Sequence, residues 1–403
     1  MQNILVLTNL YPAIDLEKEN TPIVHYFTRE WVKMGYNVRV VNYPANFPKI
    51  VMWGASLFKK QISSRLGTTI RTFQTTEMEY EMDLVKVKRM PLLKTKLHGA
   101  FSSNEINKAY KKTIEYLKKE EFVPDVIISH WVNPQLEIMD MLKREYGCKT
   151  CYVAHLASIE MDRIYTREQS QKLIDNIDLM GFRSAPIRDA FMERFQYDRP
   201  SFQCYSGVPE KYIPEHPVMR SFDNVCNFVF VGSLIKRKYP AEIILAVSKA
   251  YGQELFNITY IGKGSESKAI EKYAHKLHVE GRVHNLGYIT RDEVVRQLQT
   301  NDIFIMNSRS EAFGLVYLEA MAQGLITIAS RNEGFDGIIE HGKNGFLCKA
   351  GDVEELSRLI YEIKRMSPMK LQDISRNAIL TAKNLTDKKA AKMYIDYVEM
   401  YCN

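Results

Sequence analysis

Glu311 and Glu319 lie in SEAFGLVYLEAMAQG (310–324), with seven residues between them. Glu311 belongs to a short polar, glycine-bearing segment, whereas Glu319 is embedded in a run that reads as a buried helix. A carboxylate on a mostly apolar helix costs free energy unless something pairs with it. A helix starting near Leu315 would present its first free N–H groups from Gly314, Leu315 and Val316. Such a start gathers unpaired donors and partial positive charge, which suits a diphosphate. Eight helical residues rise about 12 Å, the scale of a nucleotide sugar. Glu319 has the two oxygens needed to accept the cis diol of a ribose, and Glu311 could hold hydroxyls of a sugar. The same residues also fit an exposed helix position and part of a helix cap. Spacing alone leaves both readings open.

The elements that would carry these residues alternate strand and helix. Apolar runs occur at NILVLT (3–8), NVRVVN (37–42), DVIISH (125–130), TCYVAH (150–155) and FQCYSG (202–207). Thr21 and Pro22 supply a helix start after the first, with threonine as cap and proline at the first helical position. A second series runs through NFVFVGS (227–233), FNITYIGKG (256–264), VHNLG (283–287), DIFIMNS (302–308), LITIAS (325–330) and GFLCKAGD (345–352). Buried β-rich runs separated by helices predict parallel sheets covered on both faces. Two series predict two doubly wound, Rossmann-like domains facing across a cleft. The linker is SGVPEKYIPEHPVMRS, with three prolines and a glycine. The expected division is 1–205, linker 206–222, second domain 223–385 and a final segment 386–403. In open α/β sheets ligands sit beyond the carboxyl ends of the strands. That rule singles out His130 and His155 in the first domain, and Ser233, Gly262–Gly264 and Ser308–Gly314 in the second.

Composition sets bounds on this reading. At 403 residues the chain is too long for one ordinary core. With 45% hydrophobic and 26% charged residues, it has the make-up of a water-soluble globular protein. No apolar run reaches the roughly 18–20 residues of a membrane span. The opening MQNILVLTNLYP lacks a basic n-region and a small-residue cleavage site, so no signal peptide is expected there. Six scattered cysteines, with Cys148 and Cys151 as the one CxxC pair, fit reduced thiols in the cytoplasm better than a zinc site.

The segment NDIFIMNSRSEAFGLVYLEAMAQGLITIAS resembles the Glu-x7-Glu signature of family 4 retaining nucleotide-sugar glycosyltransferases, with its flanking strands. GFDGIIEHGKNGFLCKAGD is similar to the usual continuation of that signature. FVGSLIKRKYP (230–240) resembles the family's glycine-rich diphosphate loop and ITYIGKGSE (258–266) its second glycine turn. PDVIISHW and CYVAHLAS resemble its two histidine-bearing strand ends. The likeness runs essentially the full length and is strongest over 227–352. It implies the GT-B fold, with an acceptor-side first domain and a donor-binding second domain. It implies that Glu319 binds the ribose, that Glu311 lies near the donor sugar and reacting carbon, and that Phe313, Gly314 and Leu315 present backbone N–H groups. Gly232, Ser233 and Gly262 belong to the two glycine turns of the donor site. Lys238 would neutralise the diphosphate, His155 would sit against the sugar, and His130 would support it. The final helix would cross back to the first domain.

Two departures stand out. Ser233 occupies the position where the family has arginine, so Lys236 or Arg237 would have to supply the charge. No glycine occurs before Gly35, so the family's Gly-Gly after the first strand is missing. Asp-x-Asp, the metal-binding pair of the other nucleotide-sugar fold, occurs nowhere in the chain. The expectation is therefore a metal-independent, retaining hexosyl- or N-acetylhexosaminyltransferase without cofactor. Its phosphate charge would be met by Lys238, helix N-termini and amides. The donor would be a nucleoside-diphosphate sugar, UDP-linked, and the acceptor a glycan, lipid-linked or protein hydroxyl, in bacterial surface polysaccharide synthesis. A sugar-nucleotide epimerase of the same fold and an inactive partner subunit are the alternatives. A nicotinamide enzyme is disfavoured, because Gly262-x-Gly264 is a broken fingerprint without an acidic ribose partner. Residues 84–119 carry ten Lys/Arg against two Glu, with Met90, Leu92, Leu93, Leu97 and Phe101 interleaved. This reads either as a loop and a solvated helix face, or as a patch for an anionic membrane surface. The second reading would place the protein in the cytoplasm, peripheral on the inner face of the membrane. Nucleic acid is not expected at a net charge of only +7 without a recognition motif.

Overall fold

The computed structural model describes residues 2–15, 22–49, 74–96, 99–215 and 220–402. The chain forms two compact units, Met1–Tyr205 with Asp387–Asn403, and Ser206–Thr386. The main strands of the first are β1 (Asn3–Thr8), β2 (Asn37–Asn42), β4 (Met78–Met82), β5 (Val85–Arg89), β7 (Val126–His130), β8 (Lys149–Ala154), β9 (Leu179–Phe182) and β10 (Ser201–Gln203). They form an eight-stranded sheet in the order β10-β9-β8-β7-β1-β2-β5-β4. A separate pair, β3 (Ala45–Asn46) and β6 (Leu92–Leu93), lies outside it. The five residues of β7 are all buried, as expected of a central parallel strand covered on both faces. Chain order reverses between β1 and β7, which run parallel side by side.

The sheet is not wholly parallel. β4 pairs antiparallel with β5 at its edge. The turn between them uses Asp83 and Leu84, both at positive φ (49° and 65°), the backbone of a tight hairpin turn. The stretch VKVKR within the basic segment is therefore a strand, with Val85, Val87 and Arg89 facing inward. Met90, Leu92 and Phe101 are core residues, and only Leu93 among the described members of that set is exposed; Leu97 falls outside the described residues. Many of the bases are matched: Lys88 and Lys112 by Glu77, Lys119 by Glu79, Lys86 by Glu120, and buried Arg89 by Asp15. The interleaving of apolar and basic residues thus reflects a half-buried hairpin and an amphipathic helix (Ser103–Lys119).

Helix Ile23–Lys33 starts one residue later than Thr21-Pro22 suggested, with Pro22 at the cap; Thr21 lies outside the described residues. The last helix, Asp387–Cys402, packs on it. Trp31 Nε1 donates to Ala391 O at 2.9 Å, and Tyr394 meets Phe27 and Trp31 edge-on at 5.2 and 5.0 Å. Met393, Tyr394, Tyr397 and Met400 do not share one buried side. The buried set is Asp387, Ala390, Ala391, Tyr394, Ile395, Val398 and Cys402, whereas Met393, Tyr397 and Met400 are exposed.

The second unit is built on β11 (Asn227–Val231), β12 (Asn257–Ile261), β13 (Val283–Asn285), β14 (Ile303–Met306), β15 (Ile326–Ser330) and β16 (Phe346–Cys348). These form a six-stranded parallel sheet in the order β13-β12-β11-β14-β15-β16. Chain order reverses between β11 and β14, whose carboxyl ends lead into Gly232 and into the loop that bears Glu311.

Candidate active site

Two glycine turns form the base of the site. After β11, Gly232 N–H donates to Ile261 O (2.9 Å) and Leu234 N–H to Lys263 O (3.0 Å). A Cβ on Gly262 would stand 1.9 Å from Gly232 O, and one on Gly264 would stand 2.1 Å from Leu234 O. Both glycines are required because two backbones touch there, which accounts for Gly262-x-Gly264 without a dinucleotide. Ser233 is exposed on the first turn.

The chain then enters a short 3-10 turn, Lys236–Lys238. Lys238 Nζ lies 3.3 Å from Glu311 Oε2 and 3.5 Å from Met306 Sδ. It also lies 3.2 Å from where a Cβ on Gly232 would be. Arg237 Nη1 lies 3.7 Å from the same Glu311 oxygen and donates to the carbonyls of Arg309 and Ser310, each at 3.3 Å. Arg309 N–H returns a bond to Arg237 O at 2.8 Å. Two cations therefore converge on Glu311. Lys236, the other compensating candidate, is exposed and makes no ion pair among the described residues.

The loop bearing Glu311 is held from behind. Its N–H donates to Glu333 Oε2 at 3.0 Å, and a Cβ on Gly334 would stand 2.4 Å from Glu311 O. Phe313 is buried edge-on against Phe335 at 5.5 Å. Gly314, at φ +84°, caps the helix Leu315–Ala322 and leaves room for the Tyr317 ring, which a Cβ would meet at 2.5 Å. Phe313, Gly314 and Leu315 thus stand at a helix start, where amides carry partial positive charge. Leu315 is partly buried.

Glu319 is buried, and its partner is Arg291, whose Nε donates to Oε1 at 2.6 Å. Arg291 opens the helix Arg291–Gln299 and lies 5.3 Å from the Tyr212 ring. The two glutamates therefore stand in separate surroundings, each against arginine or lysine. Sequence reasoning missed Arg291, Glu333 and Gly334. The pattern Thr290-x-x-Glu293, which forms a capping box here, was a signal that Arg291 starts a helix.

In the first unit His130 and His155 come together, Nδ1 to Nε2 at 3.2 Å. The His155 ring stacks on Trp131 at 4.5 Å and 8°. Tyr394 of the last helix reaches His130 Nε2 at 3.5 Å. Burial pulls His130 down to about 3, with Arg183 adding to it. Burial likewise holds His155 far below the ordinary histidine range, helped by His130 and Arg183. Both rings are therefore neutral at physiological pH, so His155 is set to accept or donate a hydrogen bond rather than to supply charge.

Two Rossmann-like units with glycine turns and a helix start at the reversal point of the second sheet define the GT-B class of proteins. Residues 216–381 match the family model for glycosyl transferases group 1. N-acetyl-alpha-D-glucosaminyl L-malate synthase of Bacillus anthracis is 34% identical over 124 residues, 31% of this chain and 32% of the relative. The lipopolysaccharide core biosynthesis glycosyltransferase LpsE of Rhizobium meliloti is 34% identical over 133 residues, 33% of this chain and 38% of the relative. The chain therefore spans about a third of the length of these curated relatives. Anabaena HepE in complex with UDP has the same fold, with a TM-score of 0.71 at 16% identity over 99% of this chain and 100% of that one.

Proposed function

We propose that the protein is a retaining glycosyltransferase that moves a sugar from a nucleoside-diphosphate sugar, UDP-linked, to an acceptor hydroxyl. The convergence of Lys238 and Arg237 on Glu311, beside the Gly232 turn, is the observation that supports this most. In this reading the two cations and the amides from Phe313 to Leu315 take the diphosphate. Glu311 turns to the sugar, and Glu319 with Arg291 holds the ribose. The anomeric C–O bond to phosphate breaks while a C–O bond to the acceptor forms on the same face. The acceptor proton passes to the departing phosphate oxygen. His155 is proposed as a catalytic residue acting through its neutral ring. Phosphate charge is met without a metal. Relatives named for malate, lipopolysaccharide and a glucosyldiacylglycerol favour a small acid, a glycan or a lipid-linked acceptor, in bacterial surface polysaccharide synthesis among other routes. No helix among the described residues is long and apolar enough to cross a membrane. An acceptor on an anionic membrane surface would rest on Lys108, Lys111 and Lys118, exposed on helix Ser103–Lys119.

The test is a panel of sugar nucleotides, first by thermal shift and then by turnover. A ligand at 100 times its Kd stabilises the fold by about 2.7 kcal/mol. UDP and UDP-sugars are expected to raise the melting temperature, and turnover should survive a chelator and give a product of unchanged anomeric configuration. Conversion of donor alone into a new sugar nucleotide would mean an epimerase. Absence of any stabilisation by nucleoside diphosphates would sink the assignment.

A further inference from the structure

The first unit contains a cavity of about 150 Å³, lined among others by Asn9, Lys94, Trp131, Asn133, Glu160 and Arg163. Asn9 follows β1 and Trp131 follows β7, the two neighbouring parallel strands between which chain order reverses. That is where an open α/β sheet offers a ligand crevice. The volume is below the roughly 300 Å³ at which drug-sized sites begin, and suits a single sugar ring or a short polyol.

The lining is specific in character. Trp131 adopts φ +64°, a backbone region that a bulky side chain avoids. Such a cost persists where the surroundings enforce it, and it is met most often at functional sites. Here it turns an indole into the cavity wall while the same ring stacks on His155. Asn9 Oδ1 is buried without a hydrogen-bond partner, an acceptor ready for a ligand hydroxyl. Lys94 and Arg163 make no ion pair among the described residues, and Lys94 Nζ stands 5.1 Å from the Phe101 ring centroid. Against these two cations stands one carboxylate, Glu160, so the lining has a net positive charge. Burial lowers the Lys94 ammonium, with Glu160 opposing it, and raises the Glu160 carboxyl, with Lys94 and Arg163 opposing it, so the three charges sense one another across the cavity.

We propose that this cavity binds a polyhydroxylated ligand carrying an acidic group, with hydroxyls on Asn9, the apolar face against Trp131 and the acid toward Lys94 and Arg163. As the acceptor of the sugar transfer proposed above, which this role rests on, the ligand would be an acidic sugar or a hydroxy acid. The acid is a carboxylate or a phosphate, both of which two cations would recognise.

The experiment titrates D-glucuronate, D-glucose 6-phosphate and neutral D-glucose into the full chain, read by saturation-transfer NMR and tryptophan fluorescence. UDP is titrated in parallel. Both acids, or one of them, should bind at least tenfold more tightly than glucose, and whichever does identifies the acid. Arg163→Gln with Lys94→Met should remove that tenfold preference and leave UDP binding as it was. Glu160→Gln should strengthen acid binding several-fold, a gain that a misfolded variant would not show. Equal affinity for acids and glucose overturns the proposal, as does a double variant that still prefers acids, or an absence of saturable acid binding. If UDP binds in those cases, the glycosyltransferase reading stands without this site. If the acids bind and UDP does not, the cavity stands and that reading fails.

Discussion

Lys238 and Arg237 reach the same carboxylate oxygen of Glu311, so in the proposed reading a diphosphate would exchange with an existing partner. Lys238 is mostly buried, and Arg237 is 43% exposed. Lys238→Ala is therefore expected to weaken UDP binding by about 1.5–3 kcal/mol, the range for hydrogen bonds to charged groups. Arg237→Ala, more screened by solvent, should cost less than that. Calorimetry with UDP and with uridine checks it: uridine affinity should barely change, and equal losses for both ligands would take Lys238 off the phosphate. A second residue-scale expectation concerns His130. Its folded pKa, about 3, lies below the ordinary value of 6.5. The unfolded chain therefore binds the proton that the folded chain refuses, and this contribution is whole above pH 6.5 and lost as pH falls toward 3. Between pH 6.5 and 5 the loss is about 2 kcal/mol. His155 is shifted the same way. In His130→Asn the gap between urea-unfolding stabilities at pH 7 and pH 5 should shrink by about that amount. An unchanged gap would mean that His130 is charged in the fold.

At the scale of elements, the close approach of the two glycine turns is the most demanding packing in the second unit. Gly262→Ala would place a methyl 1.9 Å from Gly232 O, where only backbone can give way. A loss of about 3 kcal/mol, at the upper end of overpacking costs, is expected together with weaker UDP binding. Gly147→Ala is the comparison: its backbone is left-handed helical (φ 65°, ψ 16°) but nothing lies within 4 Å of the added methyl. It should cost about 1–2 kcal/mol from left-handed backbone strain alone. If the two variants melt together, the contact is not tight. These turns were legible because a glycine directly after an apolar strand run marks backbone that must turn sharply or touch a neighbour. The parallel strands were legible as continuous apolar runs. The hairpin β4–β5 was not, because Lys86 and Lys88 alternate with Val85 and Val87 and the charges dominated the reading. The period of two in VKVKR was the overlooked signal. β9 was missed because LMGF is four residues long, too short to separate from a buried helical segment. Arg291, the partner of Glu319, lies 28 residues away, and a pairing at that distance depends on how the helices pack.

At the scale of the whole molecule, the chain's last helix belongs to the unit in which the chain began. Asp387 accepts from Arg29 at 3.1 Å near the start of the helix, and Tyr36 donates to Glu399 at 2.7 Å near its end. Between them Ala390 and Ala391 let the helix approach closely, and Tyr394 fills the space among Phe27, Trp31 and Phe202. Removing residues 386–403 would expose one face of the core formed by Val24, Phe27 and Trp31. Fully burying an aromatic or large aliphatic side chain contributes about 1.5–3 kcal/mol, and Tyr394, Ile395 and Val398 would all be lost. That total is comparable with the roughly 5–15 kcal/mol by which whole domains are stable. The truncated chain should therefore lose the fold of its first unit while residues 206–385 keep their own. Limited proteolysis should digest the first unit rapidly and leave a resistant fragment of the second. UDP should still protect that fragment, because Lys238, Arg237, Glu311 and Glu319 all lie within it. Tyr394→Ala is the milder form, expected to destabilise the first unit by about 3–5 kcal/mol, the range for an aromatic side chain removed from a core. It would also remove the hydroxyl from His130, so turnover should fall further than UDP affinity. A truncated chain whose first unit resists protease as well as the intact protein would show that this unit closes its core without the final helix.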